Sequence, residues 1–417
     1  MRTRRLLPLA LGTFAIGTDN FIVAGVLPLM ADDLRVPLAV AGTQVAVFSI
    51  VYAVGTPILA TVASGVERRR LLLASMGVFI ASNLMAAVAP SFGALLVARA
   101  VAAAGAAVVS PVAIAIAAEL TDPAQRGEAI SIVTGGLTVS LVLGVPVGAL
   151  IGDVAGWRSA FVFVALLAIA SVIVTAFTLP TLHSRPQPGL RERLLPARRP
   201  DVAAALLQSF VIIGSSFIVF TYLGSIVSAL RPDGRDLAAP FLLAFGIAAV
   251  AGNLLGGRLA DSRGGLRTVR VAVPVLASAL AALSLIPRLG SGTAAVAAAA
   301  VSVTVWGLAS WAFTPAQFTR LGSMCPAEMA TVFGLNTSVI YLGSATGSLV
   351  GGAVVARLST SALGAVAAIG EVIGMALLLT TASHTPGNAG GEATLPRPSA
   401  ATAACSARSG SSGDVRW

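Results

Sequence analysis

The chain has 417 residues, 56% of them hydrophobic and 11% charged, with a formal net charge of +10 and a mean hydropathy of +0.91. A water-soluble domain carries about 25% charged residues, so this composition excludes a soluble globule and puts most of the surface against lipid. The apolar runs are continuous and long, which excludes a barrel of alternating ~10-residue strands and leaves helices of roughly 20 residues.

In chain order, the first apolar run is Leu6–Met30, behind Arg2, Arg4 and Arg5. It is too long for a signal peptide, and no small-residue cleavage site leads from it into a soluble domain. Further spans read as Val40–Val62, Leu71–Val88, Ala94–Ala118, Ala129–Ile151 and Ser159–Leu179. After a Pro- and Arg-rich break at 183–200 come Val202–Leu230, Leu237–Ala260, Thr268–Ile286, Thr293–Phe318, Ala330–Val355 and Ser361–Thr381. The expected class is all-α integral membrane, with twelve transmembrane helices in two pseudo-symmetric six-helix bundles. The expected layout is an N-terminal bundle over 1–182, a cytoplasmic central loop over 183–200, a C-terminal bundle over 201–382 and a disordered cytoplasmic tail over 383–417. Gly (43 residues) and Ala suit this, since small residues let helices approach closely in lipid.

All basic residues are Arg, a bias that a GC-rich genome explains. They cluster on one side of the spans: Arg2–Arg5, Arg68–Arg70, Arg126, Arg185–Arg199, Arg258–Arg270, Arg320 and the tail. The other side holds only Arg35, Arg158, Arg231, Arg235, Arg288 and Arg357. By the positive-inside rule both termini are cytoplasmic, and the basic balance reflects membrane orientation rather than nucleic-acid binding. Cys325 and Cys405 form no CxxC or disulfide framework, and His183 and His384 join no cluster, so no metal and no cofactor is expected.

The halves echo each other. Gly55 to Arg70, after the second span, parallels Gly256-Gly-Arg-Leu-Ala-Asp261-Ser-Arg-Gly264 after the eighth. Gly144-Val-Pro146-Val-Gly148 and Gly152 in the fifth parallel Gly343, Gly347, Gly351 and Gly352 in the eleventh. Paired halves are how alternating-access transporters are built. Two carboxylates, Asp19 and Glu371, stand inside spans, where each needs a reason to be.

Several segments in order carry a resemblance. These are Gly17-Thr-Asp19-Asn20 through Pro28, Leu143–Pro146 through Trp157-Arg158, the Gly257–Gly264 loop, Thr314-Pro-Ala-Gln317 through Arg320, and Asn336 through Tyr341-Leu-Gly343. Together they resemble the major facilitator superfamily, in particular its bacterial drug:proton antiporters of the arabinose and chloramphenicol efflux group. The resemblance covers nearly all of the chain but the tail. It implies proton coupling through Asp19 and Arg99. It implies a substrate cavity with Asn20, Gln208, Tyr222, Trp306, Trp311, Gln317, Asn336 and Tyr341 as candidates. It implies an antiporter-type helix motif at Gly144, Pro146, Gly148 and Gly152, and a cytoplasmic gate at Gly257, Asp261, Gly264, Arg68 and Arg69.

Alternative readings stand beside these. Arg99 lies close enough to the outer end of its span to snorkel. Arg68–Arg70 serve equally as topology anchors. Plain helix packing accounts for the glycines, and span-end Tyr and Trp also act as interfacial anchors. Ser64 and Glu67 depart from the gate pattern in the first half. Glu371 reads as a helix–helix contact, protonated or paired with an Arg.

The expected function is export of a small amphipathic compound, a drug or antibiotic, in exchange for protons. Sugar or metabolite efflux is the runner-up, and an uncoupled channel or receptor is the reading from another class. No nucleophile–base pair points to an enzyme, and the absence of GxxxxGK[ST] disfavours a primary pump. Partners are the bilayer, protons and a small-molecule substrate, with no nucleic acid. The expected form is a monomer in the inner (plasma) membrane.

Overall fold

The computed structural model describes residues 3–63, 65–122, 125–180, 182, 189–230, 237–286, 290 and 292–382. Ser64, His183, the tail from 383 and the Pro/Arg-rich residues 183–188 lie outside them. Among the described residues, twelve helices are long and apolar enough to cross a membrane. They are α1 (Thr3–Asp33), α2 (Leu38–Val62), α3 (Arg68–Ala87), α4 (Phe92–Glu119), α5 (Arg126–Ala155) and α6 (Trp157–Thr178). They continue with α7 (Pro200–Phe220), α8 (Ala238–Arg263), α9 (Gly265–Leu285), α10 (Thr293–Met324), α11 (Met329–Arg357) and α12 (Leu363–Ala382). The end of the bundle where α1 begins and α12 finishes is called the terminal face below, and the other end the opposite face.

Local chemistry sets the helix ends. Ser91 caps α4, its Oγ accepting the Ala94 N–H at 3.3 Å. Glu67 caps α3 and also accepts the Leu182 N–H at 3.1 Å, which ties the exit of α6 to the start of α3. Partial burial works against its charge, but the N–H groups of Leu182, Arg69 and Arg70 outweigh it and hold this carboxyl below its usual range. The turns α5–α6 and α8–α9 each hinge on one glycine in the left-handed region, Gly156 (φ 84°) and Gly264 (φ 87°). Within α5, Ser140–Gly144 form one wide π turn, in which the Val145 N–H reaches back to the Ser140 carbonyl. Pro146 follows directly, and its missing N–H is accommodated by this turn.

In lipid there is no hydrophobic force between helices, so close approach and dispersion must hold them. Glycines provide the approach twice over. A Cβ at Gly144, Gly148 or Gly152 would sit 2.0, 2.0 or 2.5 Å from Thr18, Ile22 or Val26, so α5 lies flush on α1. A Cβ at Gly343 or Gly347 would sit 2.5 or 2.0 Å from the Phe210 or Gly214 carbonyl, so α11 lies flush on α7. Helix α10 takes α8 and α9 on its sides in the same manner, through Gly252, Gly256 and Gly265.

Helix pairs α2–α11 and α5–α8 join the first six helices to the last six. Toward the opposite face this seam is tight: Ser348 Oγ donates to the Gly42 carbonyl at 2.8 Å, and a Cβ at Gly246 would sit 2.1 Å from the Leu141 carbonyl. Helix α2 buries residues only between Ala41 and Ala53, and α11 buries a near-continuous face only from Gly343 to Val354. Both therefore pack along their opposite-face halves and grow exposed toward the terminal face.

The seventh span is not the single helix to Leu230 that its hydropathy predicts. It ends at Phe220, turns at Thr221–Tyr222 and resumes as Leu223–Ser228. The turn places Tyr222 in a hollow made by Gly42, Gly351 and Gly352, where its hydroxyl donates to the Ser348 carbonyl at 3.2 Å.

The glycine seams yield a direct test. Gly347→Ala must push α11 off the α7 backbone and should cost about 1–3 kcal/mol, read as a lower thermal unfolding midpoint of the purified protein. Gly334→Ala on the same helix meets nothing within 4 Å and should leave the midpoint unchanged.

Candidate functional site

The centre of the first six helices holds an ion pair. Asp19, midway along α1, accepts from Arg99 Nη1 of α4 at 2.6 Å, and the two side chains are 0% and 1% exposed. Arg99 Nη2 also reaches the Asp19 carbonyl at 3.5 Å. The guanidinium lies 4.4 Å from the Phe48 ring of α2 and 5.6 Å from the Phe161 ring of α6. Arg99 therefore does not snorkel; it is gripped by a carboxylate and two aromatic faces. Among the described residues Asp19 Oδ2 and Arg99 Nε have no hydrogen-bond partner, so the pair keeps one free acceptor and one free donor. Next to it the halves meet. Tyr52 of α2 stacks on Tyr341 of α11 with centroids 3.9 Å apart, and lies 6.2 Å from the Phe48 ring that faces the guanidinium.

Two residues beyond Asp19, Phe21 packs edge-on to Phe220 at 5.5 Å and to Trp311 at 6.4 Å, and lies 6.5 Å from Phe217. Phe220 continues to Phe245 and Trp306, and the Trp306 indole N–H points at Ser216 Oγ at 3.4 Å. Sequence reasoning did not single out Phe21, Tyr52, Phe48 or Phe161. The spacing of aromatics along α2 at Phe48 and Tyr52, one turn apart, was the available signal.

The other candidates are distributed as follows. Asn20 is buried beside Asp19, and Trp311 is half-buried. Gln317 donates to the Ala205 carbonyl at 2.7 Å and to Ser209 Oγ at 3.1 Å. Gln208 accepts from Arg320 at 2.5 Å and donates to the Gly374 carbonyl of α12 at 3.3 Å. Arg320, counted above with the charges of one membrane side, is thus drawn into the bundle. Asn336 Oδ1 and Gln317 Oε1 are buried acceptors without a donor among the described residues. Tyr222 sits in its glycine hollow at the seam, between Gly42 of α2 and Gly351 and Gly352 of α11.

At the terminal face, Arg68 pairs with Glu119 at 2.7 Å and Arg69 donates to the Ala176 carbonyl at 2.6 Å, fastening α3 to α4 and α6. Gly257 faces open space, and Asp261 is exposed with no hydrogen bond or ion pair among the described residues. At the opposite face, Trp157 and Arg158 both donate to Asp33, and Arg158 also reaches the Ala89 carbonyl at 3.1 Å. No group of three or more His, Cys, Asp or Glu that could hold a metal occurs among the described residues.

Comparison with known proteins gives one consistent answer. A model of the Major Facilitator Superfamily matches residues 9–347. The MFS-type transporter YbcL of Bacillus subtilis is 32% identical over 385 residues, which is 92% of this chain and 97% of that protein. The inner membrane transport protein YdhP of Escherichia coli is 30% identical over 378 residues, 90% of this chain and 94% of its own. A chloramphenicol resistance protein of Streptomyces lividans is 30% identical over 375 residues, 89% of this chain and 94% of its own. Among solved structures, a partially occluded inward-open conformation of the E. coli xylose transporter XylE superposes with a TM-score of 0.72 at 14% identity, covering 94% of this chain and 99% of that one.

Removing either member of the buried pair should destabilise the protein by about 3–5 kcal/mol, because an uncompensated charge stays behind. Asp19→Asn and Arg99→Met, measured by thermal unfolding, should each show this, and the double variant should lose much less than their sum. Additive losses would mean that the pair does not act as a pair.

Proposed function

The chain belongs to the major facilitator superfamily, given the family match over residues 9–347 and 32% identity over 385 residues to an MFS-type transporter, and from that premise we propose that it exports a small amphipathic compound in exchange for protons. It is a multi-pass membrane transporter, not an enzyme. The proposed setting is the inner membrane, as a monomer, with both termini and the terminal face cytoplasmic; the crowding of Arg at that face supports this. The proposed layout is two six-helix bundles, 1–182 and 201–382, joined by 183–200, with the tail dispensable.

The observation that carries the reading is the Asp19–Arg99 pair, 2.6 Å apart and fully buried. While Asp19 is ionised, its charge cancels that of Arg99 in a medium where neither is tolerated alone. Protonation removes the carboxylate charge and loosens α1 from α4. Phe48 and Phe161 hold the guanidinium in place meanwhile, so α1 is the element that moves. That helix slides on the smooth glycine face of α5 and carries Phe21 against α7 and α10. A proton on Asp19 thereby biases the contact between the halves, which is the requirement for coupled alternating access.

Cargo in this reading lies against Phe21, Trp311, Asn20 and Tyr341, an apolar lining with a few polar groups. The buried acceptors of Asn336 and Gln317 offer places for a hydroxyl or amide N–H donor. A cargo of the drug class is favoured by the similarity to a chloramphenicol resistance protein. In the gate, Asp261, which has no partner among the described residues, fits a conformation open toward the cytoplasm, where a helix N-terminus would accept it only after closure.

Two measurements test this. Cells expressing the chain should tolerate chloramphenicol or another member of an antibiotic panel at several-fold higher concentration, and Asp19→Asn or collapse of the proton gradient should abolish the gain. Tolerance unaffected by either would refute proton coupling. With Cys325 and Cys405 replaced by Ser, a cysteine at Gly234 should label from outside and one at Ser184 should not; the reverse pattern would invert the orientation.

A further inference from the structure

The second intramembrane carboxylate is held quite differently from the first. Glu371 is 0% exposed, and neither of its oxygens has a hydrogen-bond partner among the described residues. It lies midway along α12 on a buried stripe with Leu363, Ala367, Gly374 and Leu378. The helix is pressed closely on its neighbours there: a Cβ at Gly370 would sit 2.1 Å from Ser215 Oγ, and one at Gly374 would sit 2.7 Å from Ile212, both on α7. A role in packing alone would be served by Ala or Leu, since the carboxyl makes no bond that the contact needs.

The groups facing it from each packed element are few. The buried face of α7 offers Gln208, Ser209, Ser215 and Ser216 and nothing titratable. Helix α9, which meets α12 at Leu280 and Ser284, carries only Arg267 and Arg270, at its terminal-face end. Helix α10 carries only Arg320, also toward that end. Arg320 is bonded to Gln208, and Gln208 in turn to the carbonyl of Gly374, three residues from Glu371. Among the described residues an ionised carboxylate at Glu371 would have no counter-charge beside it and no donor, whereas the neutral acid fits the dry, close-packed site.

We propose that Glu371 is a proton-binding site of the second six helices, loaded in the packing seen and emptied when α12 parts from α7. The step is a simple ionisation: water enters, the carboxylic O–H bond breaks, the proton leaves on water, and a carboxylate remains. The same parting breaks the 3.3 Å bond from Gln208 to Gly374. This turns Gln208 and the Arg320 behind it toward the new charge. The chain then has two protonation steps of opposite kind: Asp19 ionised and paired when the first half is tight, Glu371 neutral and unpaired when the second half is tight. The inference stands apart from coupling through Asp19, since it needs no cargo and no exchange.

The test is infrared difference spectroscopy of the full purified chain in lipid, in an Asp19→Asn background, stepped from neutral to alkaline pH in H2O and D2O. The result expected is a protonated-carboxyl C=O band at neutral pH that shifts in D2O, falls on the alkaline step and is absent in Glu371→Gln. Glu371→Asp, the control should Glu371→Gln fail to fold, should move the band. A band unaltered by either substitution, or no protonated-carboxyl band at neutral pH, would overturn the proposal, as would a band that survives the alkaline step. Loss of drug export with this band intact would count against exchange and not against the site.

Discussion

A charge inside a lipid-embedded helix bundle has to be met by an opposite charge, and the contact between Asp19 and Arg99 satisfies this for the first six helices. At 2.6 Å and with essentially no exposure, the pair fixes the distance between α1 and α4 at mid-depth. It also dictates what surrounds it. Away from the carboxylate the guanidinium rests against the Phe48 and Phe161 rings of α2 and α6, whose faces offer cation–π attraction where water is excluded. Four of the first six helices thus converge on one cation. Helix α5 completes the arrangement from the other side of α1 by offering no side chain at all where it crosses, at Gly144, Gly148 and Gly152.

The pair is placed to be felt elsewhere. The residue after Asn20 is Phe21, whose ring meets Phe220 and Trp311. Tyr341 of α11 stacks on Tyr52 of α2, which stacks in turn on the Phe48 ring that faces the guanidinium. Both contacts bridge the seam between the first and last six helices. Any change in the position of α1 therefore acts on the seam through rigid aromatic rings rather than flexible chains. The seam itself is firm toward the opposite face, where Tyr222, Gly42, Gly352 and Ser348 interlock, and its helices grow exposed toward the terminal face.

Much of this is readable in the sequence, for identifiable reasons. Span positions follow from continuous apolar runs, and the observed helices match them because lipid leaves the backbone no alternative to helix. The glycines of the fifth and eleventh spans lie where α5 crosses α1 and α11 crosses α7, since only Gly admits a backbone at that distance. Arg99 carries two readings in sequence, a snorkelling side chain or a buried one, and only its partner on another helix decides between them. The end of α7 at Phe220 is illegible for the same reason. The hollow that draws Tyr222 out is built by Gly42, Gly351 and Gly352, far away in the chain. Gln208 and Gln317 read as free polar groups within an apolar span, yet their hydrogen bonds run to Arg320, Gly374 and Ala205, which pattern cannot foresee. Glu371 is conspicuous in the sequence, but its lack of any bonding partner emerges only from the packed helices.

The central claim is that protonation of Asp19 is linked to movement of cargo. The most direct measurement is proton flux across the membrane of vesicles containing the purified protein, triggered by adding an exported drug on one side with no gradient imposed. The account predicts a pH change of opposite direction to the drug flux, lost in Asp19→Asn although that variant still binds the drug. Drug flux with no accompanying proton movement, or an unchanged proton flux in Asp19→Asn, would contradict it.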